Sequence, residues 1–191
     1  MEGNEAILQK SAPKDEDYIF IPWNHKRDYE LLFSTISILE KRGFFLKYKI
    51  IDWGVSESDI NAIKDRYSIK SGISYSTKVD FDVFLETIRS SKFVLLPLEN
   101  EKDICNWLTV FALVLSLWKL LITNENPTTK PFFERWTCIY LESSKEKFAD
   151  AIQSAYDNPN SIAEIWQNAY NFAHVCFSFL GLFEKILKEL S

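Results

Sequence analysis

A short polar run at residues 24–28 carries the residue types best suited to chemistry in this sequence. Asn24, His25, Lys26 and Arg27 follow the apolar segment DYIFIPW and precede a segment with helical spacing, so we predict a strand-to-helix turn. There they would lie beside a helix N-terminus, which stabilises an anion such as phosphate. Arg27 could bind that anion through two parallel hydrogen bonds. The alternative is a solvated turn in which Asp28 caps the helix; no catalytic residue is assigned.

Charge and cysteine patterns argue against other kinds of site. The chain has 22 Lys and Arg against 27 Asp and Glu, with the two signs mixed, so no surface for nucleic acid is expected. Cys105, Cys138 and Cys176 are odd in number and lack a CxxC spacing, which argues against a zinc site or a disulfide framework. Asp52 and Asp80 have no spacing that requires a metal. No metal site is therefore predicted.

The apolar stretch NWLTVFALVLSLWKLLITN, residues 106–124, could be a membrane span or a helix followed by a buried strand. Lys119 interrupts it, and its uncharged part is shorter than the ~20 residues that cross a bilayer. We predict a helix at 106–117, a strand at 119–123 and no transmembrane segment. The polar, acidic N-terminus is unlike a signal peptide. Residues 1–16 are therefore expected to form a flexible lead, residues 17–191 one domain, and the protein is expected to be cytoplasmic.

Apolar runs and helical spacings alternate along the whole chain. Gly43 is the predicted stop of the first helix, and Ser56 with Asp59 is the predicted cap of the second. Five further strands are predicted within residues 17–23, 44–54, 72–79, 92–98 and 136–142, and five further helices within 27–43, 56–68, 80–91, 144–158 and 161–190. This alternation predicts an α/β, Rossmann-like, doubly wound domain with a mostly parallel six-stranded sheet and helices on both faces.

The chain also resembles a known family over roughly residues 18 to 175. The segments RDYELL, VDFDVFLETIRSSKFVLLPLE, LTVFALVLSLWKLLITN and EKFADAIQSAYDNPNSIAEIWQNAYNFA carry the resemblance. Together they are similar to the C-terminal, nucleotide-sugar-binding half of GT-B glycosyltransferases of the large retaining group. The resemblance implies a single GT-B half that binds a nucleotide-sugar donor, with no resident cofactor.

The donor-site positions of that family are altered in this sequence. Residues 22–24, Pro-Trp-Asn, stand where the family has a glycine-containing loop. The family's helix-initiating glycine and its ribose-binding glutamate align with Trp107 and Leu113, and its Gly-Lys-Pro turn aligns with residues 118–120. Trp107 and Trp118 are expected in the core or in an interface. The resemblance therefore covers the scaffold better than the ligand site.

Two interpretations of function stay open. In the first, the chain is a glycosyltransferase-like domain in which residues 24–27 bind diphosphate and the region from Glu99 to Asn106 binds sugar. Glu99 follows a predicted strand, although an acidic surface loop is the alternative interpretation for it. A separate polypeptide would supply the acceptor half. In the second, the chain is a non-catalytic interaction or scaffold domain. The amphipathic C-terminal segment from Phe179 to Leu190 is expected to contact a second copy or a partner subunit.

Overall fold

The computed structural model describes residues 16–22, 27–52, 54–99, 108–125, 138–158, 164–165, 167–169 and 171–172. Within these residues the strands are β1 (Ile19–Pro22), β2 (Lys47–Ile51), β3 (Gly72–Ser76), β4 (Phe93–Leu96), β5 (Leu121–Asn124) and β6 (Ile139–Leu141). The named helices are α1 (Tyr29–Lys41), α2 (Glu57–Arg66), α3 (Phe81–Ser90), α4 (Leu108–Ser116) and α5 (Lys145–Asp157). As far as α5, the order of strands and helices is the predicted one.

The six strands form one sheet in the order β3-β2-β1-β4-β5-β6. Each neighbouring pair is parallel, from β2 with β3 to β5 with β6. The prediction of a doubly wound, Rossmann-like α/β sheet is therefore confirmed. Strand order reverses between β1 and β4, because the chain builds outward to β3 and then returns to the other side of β1.

Both faces of the sheet are covered by helices. Ile19 and Ile21 of β1 belong to the apolar cluster that includes α1 and α5, whereas Phe20 belongs to the cluster that includes α3 and α4. Successive residues of a strand point to opposite faces, so a strand buried on both sides needs apolar residues at every position. This explains why the central strands are continuous apolar runs in the sequence.

Helix ends follow the predicted sequence signals. The Ser56 hydroxyl accepts a 3.2 Å bond from the Asp59 amide, and the Asp59 carboxylate accepts a 3.3 Å bond from the Ser56 amide. Gly43 follows α1 with φ +87°, and its amide donates to the Glu40 carbonyl. Both predictions, a capped start for α2 and a glycine stop for α1, are confirmed.

The segment after α4 differs from the prediction. Strand β5 begins at Leu121 instead of Lys119, because Trp118 takes a left-handed φ of +58° where the chain leaves the helix. The Lys119 amide donates to the Val114 carbonyl in that turn. Trp118 is 44% exposed, so it does not lie in the core of this chain, and its place in an interface stays a prediction. Trp107 lies outside the described residues.

The last described residues pack on the α4 face. Ala169 is buried in the cluster that contains α4, and the Phe172 ring lies 6.3 Å from that of Phe111. The predicted flexible lead up to residue 15, and residues 173–191, fall outside the described residues. Among the helices that the structure describes, none combines the length and the apolar character needed to cross a membrane.

Two glycine substitutions separate backbone strain from crowding. A Cβ at Gly43 would meet no atom within 4 Å, so Gly43→Ala costs only the left-handed conformation, about 1 kcal/mol of unfolding free energy. Gly72→Ala is the control, because its Cβ would make an ordinary 3.8 Å contact with Lys47 Cγ. We expect it to be neutral or stabilising by up to about 1 kcal/mol in urea unfolding. Equal effects of the two substitutions would contradict this account.

Candidate functional site

The candidate site lies at the carboxyl edge of the sheet, where β1 and β4 are neighbours. From these two strands the chain departs in opposite directions, which opens a crevice in parallel sheets of this kind. The segment that leads into α1 and the segment that follows β4 meet there. Arg27 and Leu98 form an antiparallel bridge, and the Asp28 amide donates a 3.1 Å bond to the Pro97 carbonyl. The two loops are thus joined by backbone pairing.

Helix α1 begins at this junction. Asp28 is its N-cap, and the Asp28 Oδ1 atom accepts a 2.7 Å bond from the Leu31 amide. The helix has 13 residues, so its aligned peptide dipoles place partial positive charge at this end. Capping by Asp28 agrees with the solvated-turn alternative, but the burial of its neighbour Arg27 does not.

Arg27 is buried, with 4% of its surface exposed. Its Nε atom donates a 3.1 Å bond to the Pro22 carbonyl at the end of β1, and its Nη2 atom has no hydrogen-bond acceptor in the structure as described. Burial lowers the pKa of the guanidinium to about 10, and the charges of Tyr29 and Asp52 act against that shift. A buried cation with an unused donor is costly, and an anion would satisfy both its charge and its donor.

A second polar group, Asp52, directly follows β2, and its charge acts on Arg27. The Tyr29 hydroxyl donates to its Oδ2 atom, while its Oδ1 atom accepts bonds of 2.6 Å from the Gly54 amide and 3.2 Å from the Val55 amide. Three donors therefore occupy the carboxylate. Asp52 is placed to supply negative charge near Arg27.

On the other side of the crevice, Asn124 ends β5. Its side chain is fully buried, and its Oδ1 atom accepts a 2.6 Å bond from the Leu98 amide. Its Nδ2 atom donates to the Leu98 carbonyl at 2.7 Å and to the Ser143 Oγ atom at 2.8 Å. Asn124 was not among the predicted site residues, because the sequence around it indicated only the end of a strand. An amide side chain directly after a buried parallel strand was the available signal.

The structure covers two of the six predicted binding residues. Arg27 and Glu99 come to the same crevice, because the Arg27 backbone pairs with Leu98, the residue that precedes Glu99. Glu99 is exposed and Arg27 is buried. The other four lie outside the described residues: Asn24, His25, Lys26 and Asn106.

Comparison with known proteins relates the fold to one class of enzyme. No protein-family model and no curated protein sequence matches the chain. Among solved structures, TarM of S. aureus superposes with a TM-score of 0.74 at 15% identity, over 94% of this chain and 36% of TarM. HepE of Anabaena in complex with UDP-glucose gives 0.71 at 10% identity, over 98% of this chain and 50% of HepE.

The match reaches nearly the full length of a third structure. The catalytic domain of cholesterol-alpha-glucosyltransferase from Helicobacter pylori gives a TM-score of 0.62 at 9% identity, over 83% of this chain and 98% of that domain. This chain has a GT-B glycosyltransferase-like fold. The GT-B-like domain spans only about a third of TarM and half of HepE.

Because Arg27 is buried in the GT-B-like domain, we predict that its replacement by an apolar residue does not lower the unfolding free energy by much. Arg27→Met removes a buried charge but keeps an unbranched apolar stem, so we expect the unfolding free energy without ligand to stay within about 1 kcal/mol of wild type, or to rise. Urea unfolding at neutral pH measures it. A loss of more than about 3 kcal/mol would mean that the guanidinium is fully paired in the native protein.

Alkaline unfolding tests the Tyr29 contact. Burial, followed by the hydrogen bond to Asp52, raises the pKa of the Tyr29 hydroxyl well above its ordinary value. Above about pH 10 an unfolded tyrosine loses its proton while folded Tyr29 keeps it, so native stability falls as pH rises. Tyr29→Phe should make that fall shallower by up to ~1.4 kcal/mol per pH unit. Denaturation curves from pH 9 to 12 measure how the unfolding free energy of each protein changes with pH. Equal slopes for wild type and Tyr29→Phe would contradict the raised pKa of Tyr29.

Proposed function

We propose that this chain is the nucleotide-sugar-binding half of a glycosyltransferase. In this proposal the diphosphate lies at the N-terminus of α1 and binds Arg27. Residues 24–26 complete the phosphate side, and the sugar lies toward the region from Glu99 to Asn106. The carrying observation is the buried guanidinium of Arg27, whose Nη2 donor is unused at the crevice of a GT-B-like sheet. UDP and UDP-glucose in the similar HepE structures support the ligand class.

Chemistry at Arg27 matches the needs of a diphosphate. Guanidinium groups bind phosphate oxygens with paired, charge-assisted hydrogen bonds, and the N-terminus of a helix adds favourable potential. The pKa of about 10 lies above neutral pH, so the group carries its charge under ordinary conditions. Ligand binding would turn a destabilising buried charge into a satisfied one, which gives the binding energy a specific source.

Glycosyl transfer would need a second half. The chain matches only part of TarM and HepE, and catalysis in this proposal requires an acceptor-binding domain from another polypeptide. A crystal structure of a GtfA/B complex, which is similar over 85% of this chain, is consistent with such an arrangement for a protein of this fold. The C-terminal segment from Phe179 to Leu190 is the proposed contact with that partner or with a second copy.

A non-catalytic interaction domain is the second candidate. Its support is the loss of donor-site residues: Pro-Trp-Asn replaces the glycine loop at residues 22–24, and Leu113 stands at the position of the ribose-binding glutamate. In this case the buried polar groups would be scaffold remnants, and the protein would not bind nucleotide-sugars.

Calorimetric titration with UDP-, GDP-, ADP- and CMP-sugars separates the two candidates. The donor proposal predicts binding by wild type and a loss of at least about tenfold in affinity for Arg27→Met, since a charged hydrogen bond is worth ~1.5–3 kcal/mol. Arg42→Met is the matched control, because Arg42 follows the opposite end of α1 and pairs with Asp150. Absence of wild-type binding at millimolar ligand would overturn the donor proposal. Equal losses in the two variants would overturn the role of Arg27.

A further inference from the structure

The Asn124 side chain connects three separate parts of the carboxyl edge. Its carboxamide pairs with both backbone groups of Leu98, as a peptide group of a neighbouring strand would. It also donates to Ser143 in the segment before α5. The regular register between β4 and β5 ends at Leu96 with Thr123, so Asn124 extends that pairing into the loop after β4.

From Leu98 the connection continues to the candidate phosphate site. Leu98 bridges Arg27, and the Pro97 carbonyl accepts from the Asp28 amide at the start of α1. A continuous hydrogen-bonded path therefore runs from Asn124 through residues 97–98 to residues 27–28. Arg27, Leu98 and Asn124 are all buried along it, where water cannot replace lost bonds without cost.

We propose that Asn124 is a positioning residue of the nucleotide-sugar site. By holding Leu98, it fixes the segment that carries Glu99 against the segment that carries Arg27, and so sets the spacing between the sugar side and the diphosphate side. The inference rests on the proposed function. The role of Asn124 is distinct from that of Thr123, which is equally buried but donates to the Leu96 carbonyl inside the sheet.

Three variants test the proposal with two readouts. Asn124→Ala removes the hydrogen bonds from the side chain to Leu98 and Ser143. Ser143→Ala removes only the contact between Ser143 and Asn124 Nδ2 and keeps the bonds to Leu98. Thr123→Val is the matched control, because it removes a different buried hydrogen bond in β5. The first readout is hydrogen exchange of the Leu98 and Asp28 amides by NMR. The second is calorimetric affinity for UDP-glucose.

We expect Asn124→Ala to speed exchange at both amides and to weaken UDP-glucose binding by about tenfold, the equivalent of one lost hydrogen bond. Ser143→Ala should give a smaller change in the same direction, which also provides the test if Asn124→Ala does not fold. Thr123→Val should lower the melting temperature without a selective change in Asp28 exchange or in affinity.

Unchanged Asp28 exchange in both Asn124→Ala and Ser143→Ala, or an equal loss of affinity in Thr123→Val, would overturn the proposal. If wild type binds no nucleotide-sugar, the proposed function fails by itself. The exchange readout then decides about Asn124: faster exchange at Asp28 supports its hold on the α1 terminus, and unchanged exchange overturns it.

Discussion

The pairing of buried polar groups between β1 and β4 is the constraint on which this structure depends. A parallel sheet covered on both faces leaves its strand ends beneath loops, where backbone and side-chain groups must find partners inside the protein. Here Arg27, Asp28 and Asn124 pair with residues 97–98. Among the described side chains at this edge, only Arg27 has a buried polar atom, Nη2, without a hydrogen-bond partner. An anion that reached this donor would satisfy both the hydrogen bond and the charge of Arg27.

The altered donor positions can be understood in the same terms. Glycine loops let backbone amides approach a diphosphate, whereas this chain has Pro22 as the last residue of β1, followed in sequence by Trp23 and Asn24, and uses side chains to organise the edge. Asp52 illustrates the change, because its carboxylate is occupied by Tyr29 and by two backbone amides. Binding in this site would therefore depend on a buried guanidinium more than on a backbone cradle. A non-catalytic interaction domain would keep the same pairing, but its unused Arg27 donor would contribute no binding energy.

Much of the fold was predictable from local patterns, whereas most of the site was not. Continuous apolar runs identified the central strands β1, β4 and β5, because these strands are buried on both faces. Gly43 and Ser56 marked helix ends, because helix capping also leaves a direct trace in the sequence. The exposure of Trp118 was not predictable, because its left-handed conformation arises from the turn between α4 and β5. The burial of Arg27 and the pairing of Asn124 with Leu98 depend on contacts between loops distant in sequence, about which local periodicity carries no information.

A crystal structure of the chain with UDP-glucose tests the central claim most directly. The account predicts a phosphate oxygen within hydrogen-bond distance, about 2.7–3.2 Å, of the Arg27 Nη2 atom, with the nucleotide in the crevice between β1 and β4. A diphosphate bound elsewhere on the protein, with Arg27 still buried and unpaired, would contradict it.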